Sequence, residues 1–84
     1  MDKLVYPAIF SPDENGGYTV TFPDLPGCIT EGNTLRVSLE MANDAMGLYL
    51  LDLKEDGEPY PEVSNPSDIE LEKGDFIELI EYIS

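Results

Sequence analysis

Residues 4–22, LVYPAIFSPDENGGYTVTF, decide the fold. Leu4 to Phe10 is an apolar and aromatic run of strand length. Tyr18-Thr19-Val20-Thr21-Phe22 alternates, so Tyr18, Val20 and Phe22 share one face and Thr19 and Thr21 the other. Between the two runs, Ser11 to Gly17 is dense turn chemistry, and Asn15-Gly16 tolerates the positive φ that a tight hairpin needs. The stretch reads as a β-hairpin. Pro7 has no N–H for a ladder, which places the first strand at a sheet edge or interrupts it there.

Working outward, Pro23-Asp24-Leu25-Pro26-Gly27 is a rigid loop, with φ fixed at two prolines and freed at Gly27. Cys28 to Gly32 is a short third strand. Asn33 and Thr34 offer capping oxygens before a helical pattern. Leu35, Leu39, Ala42, Met46, Tyr49 and Leu53 recur at helical spacing, and Val37, Met41 and Leu50 widen the stripe. The pattern ends at Glu55 to Gly57, because Gly57 suits a helix C-terminus and Pro59 and Pro61 cannot continue one. Residues 57–68 read as an extended connection. Lys73-Gly74-Asp75 is a turn, and Phe76 to Ile83 is β-branched and aromatic enough for a last strand. The fold class expected is α+β, in the order β-β-β-α-β. It comprises an antiparallel sheet of three to four strands with one long helix packed on one face.

Length and charge narrow the function. The chain has 84 residues, room for a single domain. Four Lys and Arg against 18 Asp and Glu give a formal net charge of −14. Such a chain repels phosphate, so direct nucleic-acid binding is not expected; a basic protein is the natural complement. The same charge also serves plain solubility. No histidine is present, which removes the Ser-His-Asp and Cys-His arrangements and the usual zinc sites. The lone Cys28 forms no intramolecular disulfide and reads as a small buried apolar residue. No apolar run reaches membrane-spanning length, and the N-terminus is not a secretory signal, so a cytoplasmic protein is expected.

Acid-rich stretches were tested for metal chemistry. Asp52 to Gly57 imitates the start of a calcium loop, but the third position is Lys54 and the twelfth is Val63, where oxygen ligands are required. Glu40 and Asp44 lie one helical turn apart and read as solvated surface. Gly16-Gly17 sits inside the hairpin, so it is no phosphate loop. Tyr6, Tyr18 and Phe22 lack the basic neighbours of a base-stacking platform and read as core or partner interface. No catalytic, cofactor-binding or metal-ligating residues are expected, and no enzyme.

Several motifs together resemble the N-terminal domain of HicB-type antitoxins. They are Tyr6 to Phe10, Asn15 to Val20, Phe22 to Cys28 and Glu31 to Thr34, then the helix with Ala42, Ala45, Leu48, Tyr49 and Leu50, and finally Glu55 to Pro61. The likeness covers about residues 4–66 closely and the last strand more loosely. It implies a partial, degenerate ribonuclease-H-like fold. It also implies a partner, a HicA toxin: a small basic ribonuclease that cleaves messenger RNA with a histidine. Family antitoxins usually add a C-terminal DNA-binding region that represses the shared operon. Residues 1–84 are expected to be the single antitoxin domain, with that region absent from this chain. An active ribonuclease-H-like site needs carboxylates in mid-first strand to hold magnesium, and Val5 to Ile9 offer none.

The expected mechanism is occlusion, with an acidic surface covering the toxin's RNA-binding face and active site. Leu25, on the proline loop, is the expected apolar anchor. Asp24, Glu31, Glu55, Asp56 and Glu58 are the expected charge contacts. The Pro7 edge and the apolar last strand suggest a homodimer. Two other readings remain: a non-catalytic protein-interaction or small-ligand module without a toxin partner, and a metal-dependent nuclease remnant.

Overall fold

The computed structural model describes residues 3–83, apart from the side chain of Ile83. The elements are β1 (Lys3–Pro12), β2 (Tyr18–Thr21), β3 (Ile29–Gly32), α1 (Leu35–Glu55) and β4 (Phe76–Ile83). They form one antiparallel four-stranded sheet in the order β3-β2-β1-β4. The α+β class and the β-β-β-α-β order are as the sequence indicates.

The strand β1 is interior in the sheet order and runs unbroken through Pro7, where the sequence pointed to an edge or an interruption. Its ladder with β2 runs only from Ile9 to Pro12, whereas its ladder with β4 runs from Lys3 to Phe10. Pro7 therefore sits where β2 has already turned away, and its missing N–H breaks no β1–β2 bond. The edges are β3 and β4.

The register sorts the sheet's two faces. Phe10 lies opposite both Val20 and Phe76, and Tyr6 opposite Ile80. Tyr6, Ala8, Phe10, Val20 and Ile80 form the core with Phe22, Leu25, Cys28, Ala42, Met46 and Leu50. Phe10 stacks on Phe76 with ring centroids 5.4 Å apart, and Tyr18 meets Phe76 edge-on at 5.8 Å. The other face carries Val5, Pro7, Ile9, Thr21, Ile29, Ile77 and Leu79. Ile29 and Leu79 are exposed there.

The hairpin loop is organised by Asp13. One of its carboxylate oxygens accepts from the Asn15 and Gly17 N–H groups at 2.8 and 3.0 Å, while Gly16 takes φ of 88°. At the helix start, the Val37 N–H donates to Thr34 Oγ1 at 3.1 Å. At its end, Gly57 at φ 72° lets its own N–H reach the Lys54 carbonyl and the Glu58 N–H reach that of Leu53, a Schellman closure.

The buried stripe of α1 is centred where the spacing indicates, with Ala42, Met46 and Leu50 in the core and Leu39, Tyr49 and Leu53 half-buried against it, but it is narrower on one side. Ser38, Ala42, Met46 and Leu50 are fully buried, while Leu35, Val37 and Met41 are exposed. Ser38 buries its hydroxyl by donating to the Thr34 carbonyl at 2.7 Å. Gly32 makes that approach possible, because a Cβ there would lie 2.6 Å from Ser38 Oγ and 2.7 Å from its backbone nitrogen. The connection after α1 includes one turn of 3-10 helix, Pro66–Asp68, capped by the Asn65 side chain. A purely extended path was expected there.

Candidate protein-interaction surface

The six residues singled out in the sequence do not gather into one site. Leu25 is fully buried, not presented to a partner. Its loop closes on itself, the Leu25 N–H donating to the Phe22 carbonyl and the Cys28 N–H to the Leu25 carbonyl. The prolines stay outside while Leu25 turns into the core. An apolar residue on a rigid loop has both options, and here burial wins. The anchor expectation for Leu25 is thus corrected.

Asp24 is also committed internally. Its carboxylate accepts from the Ser64 N–H at 2.8 Å and from the Ser64 hydroxyl, tying the proline loop to the connection after α1. Nearby, the Tyr6 hydroxyl donates to the Pro61 carbonyl at 2.6 Å. Burial pushes the Tyr6 phenol above its ordinary value, and the Asp24 carboxylate and Tyr60 push it the same way. This cluster fastens the post-helix chain to β1.

Glu31 is exposed on β3, on the sheet face away from α1. Glu55, Asp56 and Glu58 are exposed at the far end of α1. From Ser38, which packs beside Gly32, to Glu55 is about 26 Å of helix at the usual rise. Glu31 and the Glu55–Glu58 group therefore occupy separate regions.

The outward face of α1 carries what the sequence reading missed. Val37, Met41, Leu48 and Leu51 are all exposed, Leu48 at 62%. Val37 and Met41 had been assigned to the buried stripe. The signal was present: these positions lie opposite Ala42 and Met46 on a 3.6-residue wheel. Beside this face, an open groove of about 720 Å³ runs between Asp44, Gly47, Leu48 and Leu51 on α1 and Glu81 and Tyr82 on β4. Its floor is Gly47 against the Tyr82 ring, where a Cβ would make ordinary contact at 3.6 Å.

The chemistry of the rest is sparse. Cys28 is buried, and burial pushes its thiol above the ordinary value. Among the described residues, no group of three or more Cys, Asp or Glu converges as metal ligands would. No described helix is long and apolar enough to cross a membrane. Lys3 pairs with Glu81 at 2.8 Å and Arg36 with Glu40 at 3.7 Å, both exposed pairs of little energetic weight.

Comparison with known proteins places the fold and the family. The fold matches a chain of a toxin–antitoxin complex from Streptococcus pneumoniae with a TM-score of 0.84. That match has 22% identity and covers 95% of this chain and 69% of that one. It also matches the N-terminal domain of Burkholderia pseudomallei antitoxin HicB with a TM-score of 0.80 and 23% identity, covering 92% and 95%. The chain thus shares the fold of those two proteins. In sequence it is 45% identical over 59 residues to antitoxin HicB 1 of Photorhabdus laumondii, a match covering 70% of this chain and 38% of that protein. It is 39% identical over 58 residues to UPF0150 protein Ta0767 of Thermoplasma acidophilum, covering 69% and 84%. The family model for the HicB_like antitoxin of bacterial toxin-antitoxin systems matches residues 6–83, and the chain belongs to that family.

Proposed function

We propose that this chain is the toxin-neutralising domain of an antitoxin that binds a basic HicA-type ribonuclease and covers its RNA-binding face and active site. The observation that carries the reading is a net charge of −14 on a chain of this family. A surface so acidic repels RNA and attracts a protein built to bind RNA. The domain acts by binding alone, in the cytoplasm where messenger RNA lies, and not as an enzyme. Val5 to Ile9 bring no carboxylate to the mid-strand position that a ribonuclease-H-like metal site uses.

Self-association belongs to the same reading. Two chains of −14 repel, so a homodimer would join through the sheet face bearing Val5, Ile9, Ile77 and Leu79, where Glu81 is already paired with Lys3.

Calorimetric titration with a HicA-type toxin from the same organism, disabled at its catalytic histidine, tests the proposal. The expected result is one-to-one binding that weakens at least about tenfold between about 50 and 500 mM salt. An absence of binding at low salt overturns it.

A further inference from the structure

The outward face of α1 has a pattern that a helix covering one side of a sheet does not need. Val37, Met41, Asp44, Leu48, Leu51 and Glu55 recur at spacings of 4, 3, 4, 3 and 4 and are all exposed. The buried face already satisfies the sheet through Ser38, Ala42, Met46 and Leu50. Single exposed apolar residues are ordinary. Four of them aligned along about 21 Å of one helix make a stripe, and alternating three-four spacing is the spacing of a helix–helix seam.

We infer that this stripe is a docking seam for a basic helix of the partner, with apolar side chains against Val37, Met41, Leu48 and Leu51 and lysine or arginine facing Asp44 and Glu55. The inference rests on the proposed toxin-binding function and names the surface that performs it. Charged residues at seam positions choose the partner, because a facing helix must bring the opposite charge. The groove beside Gly47 gives a long basic side chain a bed. Its stem can lie over Tyr82 and Leu51 while its head reaches Asp44.

A second copy of this chain fits the seam poorly. Antiparallel pairing about the stripe's midpoint sets Met41 against Leu51 but Asp44 against Leu48 and Glu55 against Val37. Four carboxylates would then be desolvated with no counter-charge, between two chains of −14 each. Charge complementarity therefore selects a basic helix.

Three variants test the seam against the disabled toxin, each checked by thermal melting. Leu48→Asp and Asp44→Lys change exposed positions on the stripe, and Leu71→Asp changes an exposed position on the connection before β4, outside the stripe and the proposed dimer face. Leu48→Asp and Asp44→Lys are each expected to weaken toxin binding about tenfold or more with little change in Tm, while Leu71→Asp binds as wild type. Should Leu48→Asp fail to fold, Asp44→Lys decides alone. Wild-type affinity in both stripe variants, or loss only in Leu71→Asp, overturns the seam and leaves the antitoxin reading standing. Sedimentation covers the rival occupant: a dimer that Leu48→Asp dissociates without loss of toxin affinity assigns the seam to a second copy. Failure of the wild-type chain to bind overturns the function and the seam together.

Discussion

Tyr6 shows how much a single side chain fixes. It is fully buried on the helix face of β1, and its hydroxyl holds the chain after α1 through the Pro61 carbonyl. Its phenol is raised above the ordinary value of 10.0, first by burial and then by Asp24 and Tyr60. A raised value means that the folded state keeps the proton more tightly. The associated stability is complete below about pH 10 and is lost as pH climbs through the folded-state value. Tyr6→Phe should cost about 0.5–1.5 kcal/mol at neutral pH and make the alkaline loss shallower, read from melting curves across pH. Gly32→Ala should cost about 1–3 kcal/mol, because the new methyl meets the Ser38 backbone; chemical denaturation measures it. Neither role shows in the sequence. Tyr6 reads as one more aromatic in a strand, and Gly32 as a strand end. Ser38 escaped because a hydroxyl counts as polar until the Thr34 carbonyl is seen to satisfy it. Leu25 and Asp24 misled for the same reason: a loop sequence does not say which side chains turn inward.

At the scale of elements the sequence was far more legible. The hairpin, the helix with its Thr34 cap and Gly57 stop, and the last strand all stand where turn residues and periodicity put them. What periodicity left open was the width of the buried stripe. Its axis runs through Ala42 and Met46 as the spacing indicates, while Val37 and Met41 fall outside it and join a second, exposed stripe of the same spacing. Pro7 was over-read because its cost depends on the neighbouring strand's length, which β2 sets by ending at Thr21. Apart from Lys54 in the last turn, charge along α1 runs against its dipole. The first turn holds no acid, and Glu55, Asp56 and Glu58 crowd the C-terminal end, where the dipole is itself negative. Neutralising them as Glu55→Gln, Asp56→Asn and Glu58→Gln should raise Tm by about 4 °C, roughly 1 kcal/mol in all. The same triple variant should weaken toxin binding at low salt, since the charges that strain the free helix are those a basic partner relieves. Calorimetric melting and titration of one sample measure both effects.

The whole molecule is a four-stranded sheet with one face packed on α1, and the chain carries a net charge of −14. Element order and composition make that general design readable from the sequence. The particular contact surface is harder to read there, because apolar residues at the margin of the buried stripe, Val37 and Met41 above all, look like core until their exposure is known. The central claim concerns a toxin silenced by contact, and RNA cleavage reports it most directly. Active HicA-type toxin should be titrated with this chain while cleavage of a messenger RNA is followed. The account predicts that cleavage falls linearly and ends at one chain per toxin at low salt, returning as salt is raised. Cleavage that continues unchanged at saturating chain would contradict it.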